Sequence, residues 1–131
     1  MFGKFIIKLH AHVVIGLPTG SLLCVTPPEV AMEHINFIRD MSVENLIINN
    51  RLPTKSFPLV KEKLVEKFVS YENESDSARL AGDVAKFARI QAQKSLIAND
   101  FLKYVKHETG RNDPCFCGTG LKCKQCCGKN L

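Results

Sequence analysis

Five of the six cysteines fall within the last seventeen residues, as Cys115-Phe116-Cys117, Cys123 and Cys126-Cys127. This clustering constrains the fold more than any other feature. From Thr109 to Leu131 the large apolar residues are Phe116, Leu121 and Leu131, too few to enclose a hydrophobic core. A segment of this kind needs a covalent or metal cross-link to hold a shape.

Disulfides and a metal ion are the two available cross-links. Disulfides require an oxidising compartment, and the N-terminus does not read as an export signal. Met1 to Val25 is apolar, but Lys8, His10 and His12 interrupt its front half and Pro18-Thr19-Gly20 breaks the rest. No small-residue cleavage site precedes Pro27-Pro28. No run of eighteen apolar residues occurs, so no membrane span is expected. The expected location is cytoplasmic, where thiols stay reduced. Neighbouring cysteines are also poor disulfide partners for one another. Thiolates arranged tetrahedrally around Zn²⁺ avoid both difficulties. Gly118, Gly120 and Gly128 offer the backbone freedom that a tight metal-binding loop demands. Zinc is the expected cross-link.

The preceding residues read as an α+β body over 1–108, with the tail occupying 109–131. Phe5 to Ile15 is rich in β-branched residues, with polar positions at Lys8, His10 and His12, which predicts a strand. Gly16 to Gly20 is a turn cluster, and Ser21 to Val25 returns as a second strand to close a hairpin. Thr26-Pro27-Pro28-Glu29 starts a first helix, with Thr26 as cap and Glu29 completing a capping box. Its apolar face runs to Met41. Ser42 to Asn50 suits either a helix or a third strand. A second helix is expected from Ser56–Pro58 to Tyr71, ending at the polar run Glu72 to Ser77. A long third helix follows from Asp76 to Lys106, with Gly110 as its stop signal.

Charge is placed unevenly. The chain carries 18 Lys+Arg against 13 Asp+Glu, a net charge of +5. From Lys106 onward, Lys106, Arg111, Lys122, Lys124 and Lys129 oppose only Glu108 and Asp113. A basic tail favours an anionic partner, either nucleic acid or an acidic protein face. His10 and His12 share a strand face at ligand-like spacing, but no acidic constellation joins them, and they read as ordinary surface histidines. No phosphate-binding loop, Ser–His–Asp set or paired-carboxylate signature stands out. An enzyme is not expected.

The stretch from Gly110 to Gly128, GRNDPCFCGTGLKCKQCCG, resembles the SEC-C motif. That motif is the small zinc-binding segment at the C-terminus of the bacterial preprotein-translocase motor SecA, and it also ends many unrelated bacterial and phage proteins. The resemblance covers the tail alone. It implies that Cys115, Cys117, Cys126 and Cys127 hold one structural Zn²⁺ per chain. Four protein ligands close the coordination sphere, so no catalytic position remains open. Two positions depart from the family pattern: Leu121 replaces a usual lysine, and Cys123 replaces a usual tyrosine. Cys123-x-x-Cys126 is itself a ligand-like spacing, but Cys123 is expected to pack as a small hydrophobe or to lie free. The resemblance also implies partner-binding roles for Arg111, Lys122, Lys124 and Lys129. Two partner classes follow: an acidic face of a chaperone or larger assembly, which makes the chain an adaptor or regulator, and alternatively nucleic acid or the ribosome. The chain has no room for the motor's ATPase domains. A long third helix leading directly into the knuckle is expected to hold it out from the body.

Overall fold

The computed structural model describes residues 4–11, 14–24, 51–117 and 119–129. Its elements in chain order are β1 (Ile6–His10), β2 (Val14–Gly16), β3 (Leu22–Cys24), β4 (Thr54–Pro58), α1 (Lys63–Ala81) and α2 (Val84–Glu108), followed by a short 3₁₀ turn at Cys123–Gln125. The class is α+β, as expected. Among the described residues there are two α-helices. The expected helix from Pro27 to Met41 and the undecided stretch Ser42 to Asn50 lie outside the described residues.

The expected first strand is divided. Its second part, β2, pairs antiparallel with β3 around the Leu17–Ser21 turn, with Val14 opposite Cys24 and Gly16 opposite Leu22. Its first part, β1, pairs antiparallel with β4, with Ile6 opposite Pro58 and His10 opposite Thr54. Thr54 to Pro58 is therefore a strand where the sequence reading starts a helix. The proline is harmless there. Ladder bonds run from Ala11 N–H to Pro53 C=O and from Leu59 N–H to Phe5 C=O. In an antiparallel pair alternate residues face outward, so Thr54, Ser56 and Pro58 turn their backbone away from β1 and the missing N–H costs no ladder bond.

That outward edge is capped by α1. The Thr54 N–H donates to Asp76 Oδ2 at 2.8 Å. The Asn73 amide accepts from the Ser56 N–H at 2.8 Å and donates to the Ser56 carbonyl at 2.9 Å. Glu72 accepts from Lys8 on β1 and from Lys94 on α2. The polar run Glu72 to Ser77 is thus the middle of a helix, and the predicted break after Tyr71 does not occur. Asn73 and Asp76 of this run bond the strand edge, Glu72 bridges Lys8 and Lys94, and Ser75 meets Gln91 of α2. The break falls instead at Gly82, whose φ of 73° is left-handed and whose N–H closes the last turn of α1. Asp83 then caps α2 by accepting from the Lys86 N–H at 2.9 Å.

Helix packing centres on Phe68 of α1 and Phe101 of α2, stacked with ring centroids 4.1 Å apart. Val65, Val69 and Val105 surround them, and Phe5 and Ile6 close the core from β1. The same buried cluster contains Cys115, Phe116 and Cys123. The tail is packed against the body, contrary to the extended arrangement expected from the long helix. The helix does end where predicted. Its stop, however, is Thr109, whose hydroxyl donates to the Val105 carbonyl at 2.6 Å. Gly110 does not adopt positive φ. Among the described residues no helix is long and apolar enough to cross a membrane.

Two outcomes test this arrangement. Asn73→Ala leaves the Ser56 backbone unpaired at a buried position and is expected to destabilise the fold by about 1–3 kcal/mol in denaturant titration. Burial alone would raise the Glu72 pKa, but Lys8 and Lys94 overcome it and hold the carboxyl below its ordinary value. The folded-state value is depressed, so this contribution is complete above the ordinary glutamate range and is lost as pH falls through the lowered value. Glu72→Gln should remove that part of the acid sensitivity, measured as the slope of unfolding midpoint against pH.

Candidate metal centre

The tail is organised by backbone hydrogen bonds that its short residues permit. Asp113 turns back on Gly110, donating its N–H to the Gly110 carbonyl at 3.0 Å while its Oδ2 accepts the Gly110 N–H at 3.0 Å. Pro114 and Lys122 form an antiparallel bridge. The Cys115 N–H donates to Leu121 C=O at 2.7 Å, and the Cys123 N–H donates to Asp113 C=O at 2.9 Å. The resulting loop turns at Gly120, whose φ of 76° suits glycine. The 3₁₀ turn then aims Cys126 and Cys127 back at the first limb.

Gly128 serves another purpose than positive φ. A Cβ placed there would lie 2.9 Å from both the carbonyl oxygen and the Sγ of Cys123. Only glycine allows its N–H to reach the Cys123 carbonyl, at 2.8 Å, against that side chain. Gly118 lies outside the described residues.

Cys115, Cys117, Cys126 and Cys127 come together with all four sulfurs within 4.8 Å of one another. The Cys117–Cys126 separation is 3.3 Å and the Cys126–Cys127 separation is 3.9 Å. A disulfide requires about 2.0 Å. A tetrahedron with metal–sulfur arms of about 2.3 Å has sulfur–sulfur edges of about 3.8 Å. The four thiols could therefore hold a metal ion, and the donor set fits a soft or borderline cation. Cys115 is buried, Cys117 and Cys126 are half-buried, and Cys127 is exposed. Cys123 is not in the group. It is buried in the core cluster, and burial raises its thiol pKa.

The Cys117 thiol pKa is lowered to about 6, chiefly by the Thr119 hydroxyl and backbone. Cys127 is pushed up to about 12, because Cys115 and Cys117 draw on its proton. Thr119 Oγ1 lies 3.4 Å from the sulfurs of both Cys117 and Cys126. Its hydroxyl can donate to a metal-bound thiolate, the kind of outer contact that tunes a metal site. Sequence reading passed over Thr119. Its position two residues after a ligand cysteine, in a glycine-rich turn, was the available signal.

Arg111, Lys122, Lys124 and Lys129 are all exposed. The Lys124 N–H donates to the Arg111 carbonyl at 2.9 Å, so these two meet at the base of the knuckle. Among the histidines, His10 Nδ1 lies 3.3 Å from Thr54 Oγ1 and His107 pairs with Glu108. His12 and His34 lie outside the described residues. Gly128→Ala is expected to lower metal affinity at least about ten-fold by displacing the Cys123 turn that presents Cys126 and Cys127, read by competition against a chromophoric chelator.

No protein-family model matches the chain, and no solved structure matches it. Curated relatives do. The chain is 36% identical over 75 residues to the protein translocase subunit SecA of Geobacter sulfurreducens, covering 53% of this chain and 8% of the relative. It is 53% identical over 34 residues to SecA of Aliarcobacter butzleri, covering 26% of this chain and 4% of the relative. It is 76% identical over 21 residues to SecA of Thermodesulfovibrio yellowstonii, covering 16% and 2%. The chain thus spans less than a tenth of the length of these relatives. The part they share with it is their C-terminal SEC-C region. The segment from Gly110 to Gly128 therefore carries the SEC-C pattern in its sequence and in the gathering of its four cysteines.

Proposed function

We propose that this chain is a non-enzymatic interaction protein in which Cys115, Cys117, Cys126 and Cys127 bind one structural Zn²⁺ and the basic rim of the knuckle docks on an acidic protein face. The carrying observation is the closed set of four sulfurs within 4.8 Å, embedded in a loop whose basic side chains are all exposed. Zinc suits an all-thiolate site with no redox requirement, and its binding contributes on the order of 10 kcal/mol to the folding of small zinc domains. Four protein ligands leave no open position for water or substrate, which supports a structural role.

The body supports the same reading. Its polar cleft is lined by Lys8, Glu72, Asp76, Arg79 and Lys94 among others. Those charges neutralise one another: Glu72 bridges the two lysines, and Asp76 holds Arg79 at 2.7 Å.

Arg111, Lys122, Lys124 and Lys129 would supply electrostatic steering toward a partner such as a chaperone or a larger cytoplasmic assembly. The relatives are protein translocase subunits, which favours a partner from that setting. A rim of this kind gives specificity and association rate more than raw affinity, so binding should weaken with salt.

Native mass spectrometry should find one zinc per chain, lost on strong chelation and absent from Cys115→Ser. Masses lower by two hydrogens per bridge, with no metal, would refute the reading. Lys122→Glu combined with Lys124→Glu should weaken capture of the protein partner about ten-fold while retaining the zinc. Capture that is abolished by nuclease would reassign the rim to nucleic acid.

A further inference from the structure

The metal ligands and the hydrophobic core are interleaved along the chain. Phe116 lies between Cys115 and Cys117, and it is buried among the residues that join β1 to α2. Cys123 precedes Cys126 and Cys127 and is buried in the same cluster, with its carbonyl accepting from the N–H groups of Cys126 and Gly128. Each ligand limb therefore carries one core residue outside the ligand set, Phe116 or Cys123, and Cys115 belongs to both. Neither core residue can hold its place unless its limb is fixed.

The contact on the body side is the beginning of the N-terminal strand. Lys4 Nζ reaches the Glu108 carbonyl at 2.5 Å, and it reaches Asp113 Oδ2 at 3.0 Å. Phe5 packs edge-on against Tyr104 of α2, with ring centroids 5.8 Å apart. The Phe5 carbonyl in turn accepts the Leu59 N–H at 2.8 Å, which extends the β1–β4 pairing. A cleft of about 430 Å³, lined by Lys4, Phe5, Thr109, Asp113, Pro114, Cys115 and Phe116, runs along this seam. The two sides therefore meet through Lys4, Phe5 and the shared buried cluster, with the cleft beside them.

We propose that metal occupancy of the cysteine centre acts as a clasp: the loaded knuckle holds the start of β1 on the C-terminal end of α2, and the metal-free knuckle releases it. This inference rests on the zinc reading above. Loaded, the four sulfurs fix both limbs, and Phe116 and Cys123 close the core over Phe5, Ile6 and Val105. Stripped, the crowded thiols no longer share a cation, the limbs separate, and the apolar surface of Phe5 and Val105 is uncovered. The far end of the body is held independently, by Asn73 on Ser56 and Asp76 on Thr54, so the release is local.

Amide hydrogen exchange on the full chain, zinc-loaded and then chelated, tests the clasp. The Leu59 N–H should exchange at least about ten-fold faster after stripping, while Thr54 and Ser56 change less than about three-fold. Re-adding zinc should restore Leu59. Phe116→Ala, which keeps all four ligands, should bind one zinc and yet show fast Leu59 exchange in the loaded state. If zinc binds one per chain and Leu59 exchange is unchanged on stripping, the clasp is wrong and the zinc reading stands. If all three amides accelerate together, the metal supports the whole fold and no local device exists. If no zinc binds, both proposals fail.

Discussion

The contact between the cysteine-rich tail and the N-terminal strand governs the rest of this structure. Lys4 and Phe5 meet Asp113 and Phe116 across a sequence separation of 109 residues for the ion pair. This contact places the two ends of the described chain on one hydrophobic cluster, with the stacked Phe68 and Phe101 rings at its centre. The tail has too little apolar surface to fold on itself, and the N-terminal strand has one strand partner among the described residues. Each lends the other the buried area it lacks. Burying a phenylalanine contributes about 1.5–3 kcal/mol, so Phe5 and Phe116 are a large share of what a small domain can offer.

The second organising constraint is polar. A two-stranded sheet leaves backbone donors and acceptors open on its outer edges, and buried ones must be satisfied. Here α1 supplies the partners through Asn73 and Asp76, while Glu72 ties β1 to α2 through two lysines. The helix therefore carries its most polar residues on an inward face. This explains why amphipathic periodicity fails in that region: residues that look solvent-directed are the glue between layers.

The candidate metal centre combines these themes. Its glycines and Asp113 are local devices that fold the loop, and they act within a few residues of one another. Gly128 accommodates the Cys123 turn, Gly120 makes the reversal, and Asp113 closes the entry. Those devices bring four sulfurs together on the body's surface with Cys127 outermost. The basic side chains remain on the outside, because a charged group gains nothing from burial without a partner.

Much of the site was legible in the sequence because its chemistry is local. The identity and spacing of Cys115, Cys117, Cys126 and Cys127, the glycine-rich turn and the basic residues all lie within twenty residues, and short-range geometry brings them together. The long helix before the tail was equally legible, since its apolar positions recur at helical spacing without proline. Three things were decided only by tertiary structure. Thr54 to Pro58 is a strand because β1 pairs with it, while local signals there suit a helix start. The polar run Glu72 to Ser77 stays helical with Asn73 and Asp76 bonded to a distant strand edge and Glu72 bridging Lys8 and Lys94. The knuckle lies against the body, not extended from it, because Phe116 and Cys123 find a core built by residues about a hundred positions earlier. Periodicity and motif report what neighbours along the chain can do. They carry no record of which remote surface will bury them, and that choice is made by packing.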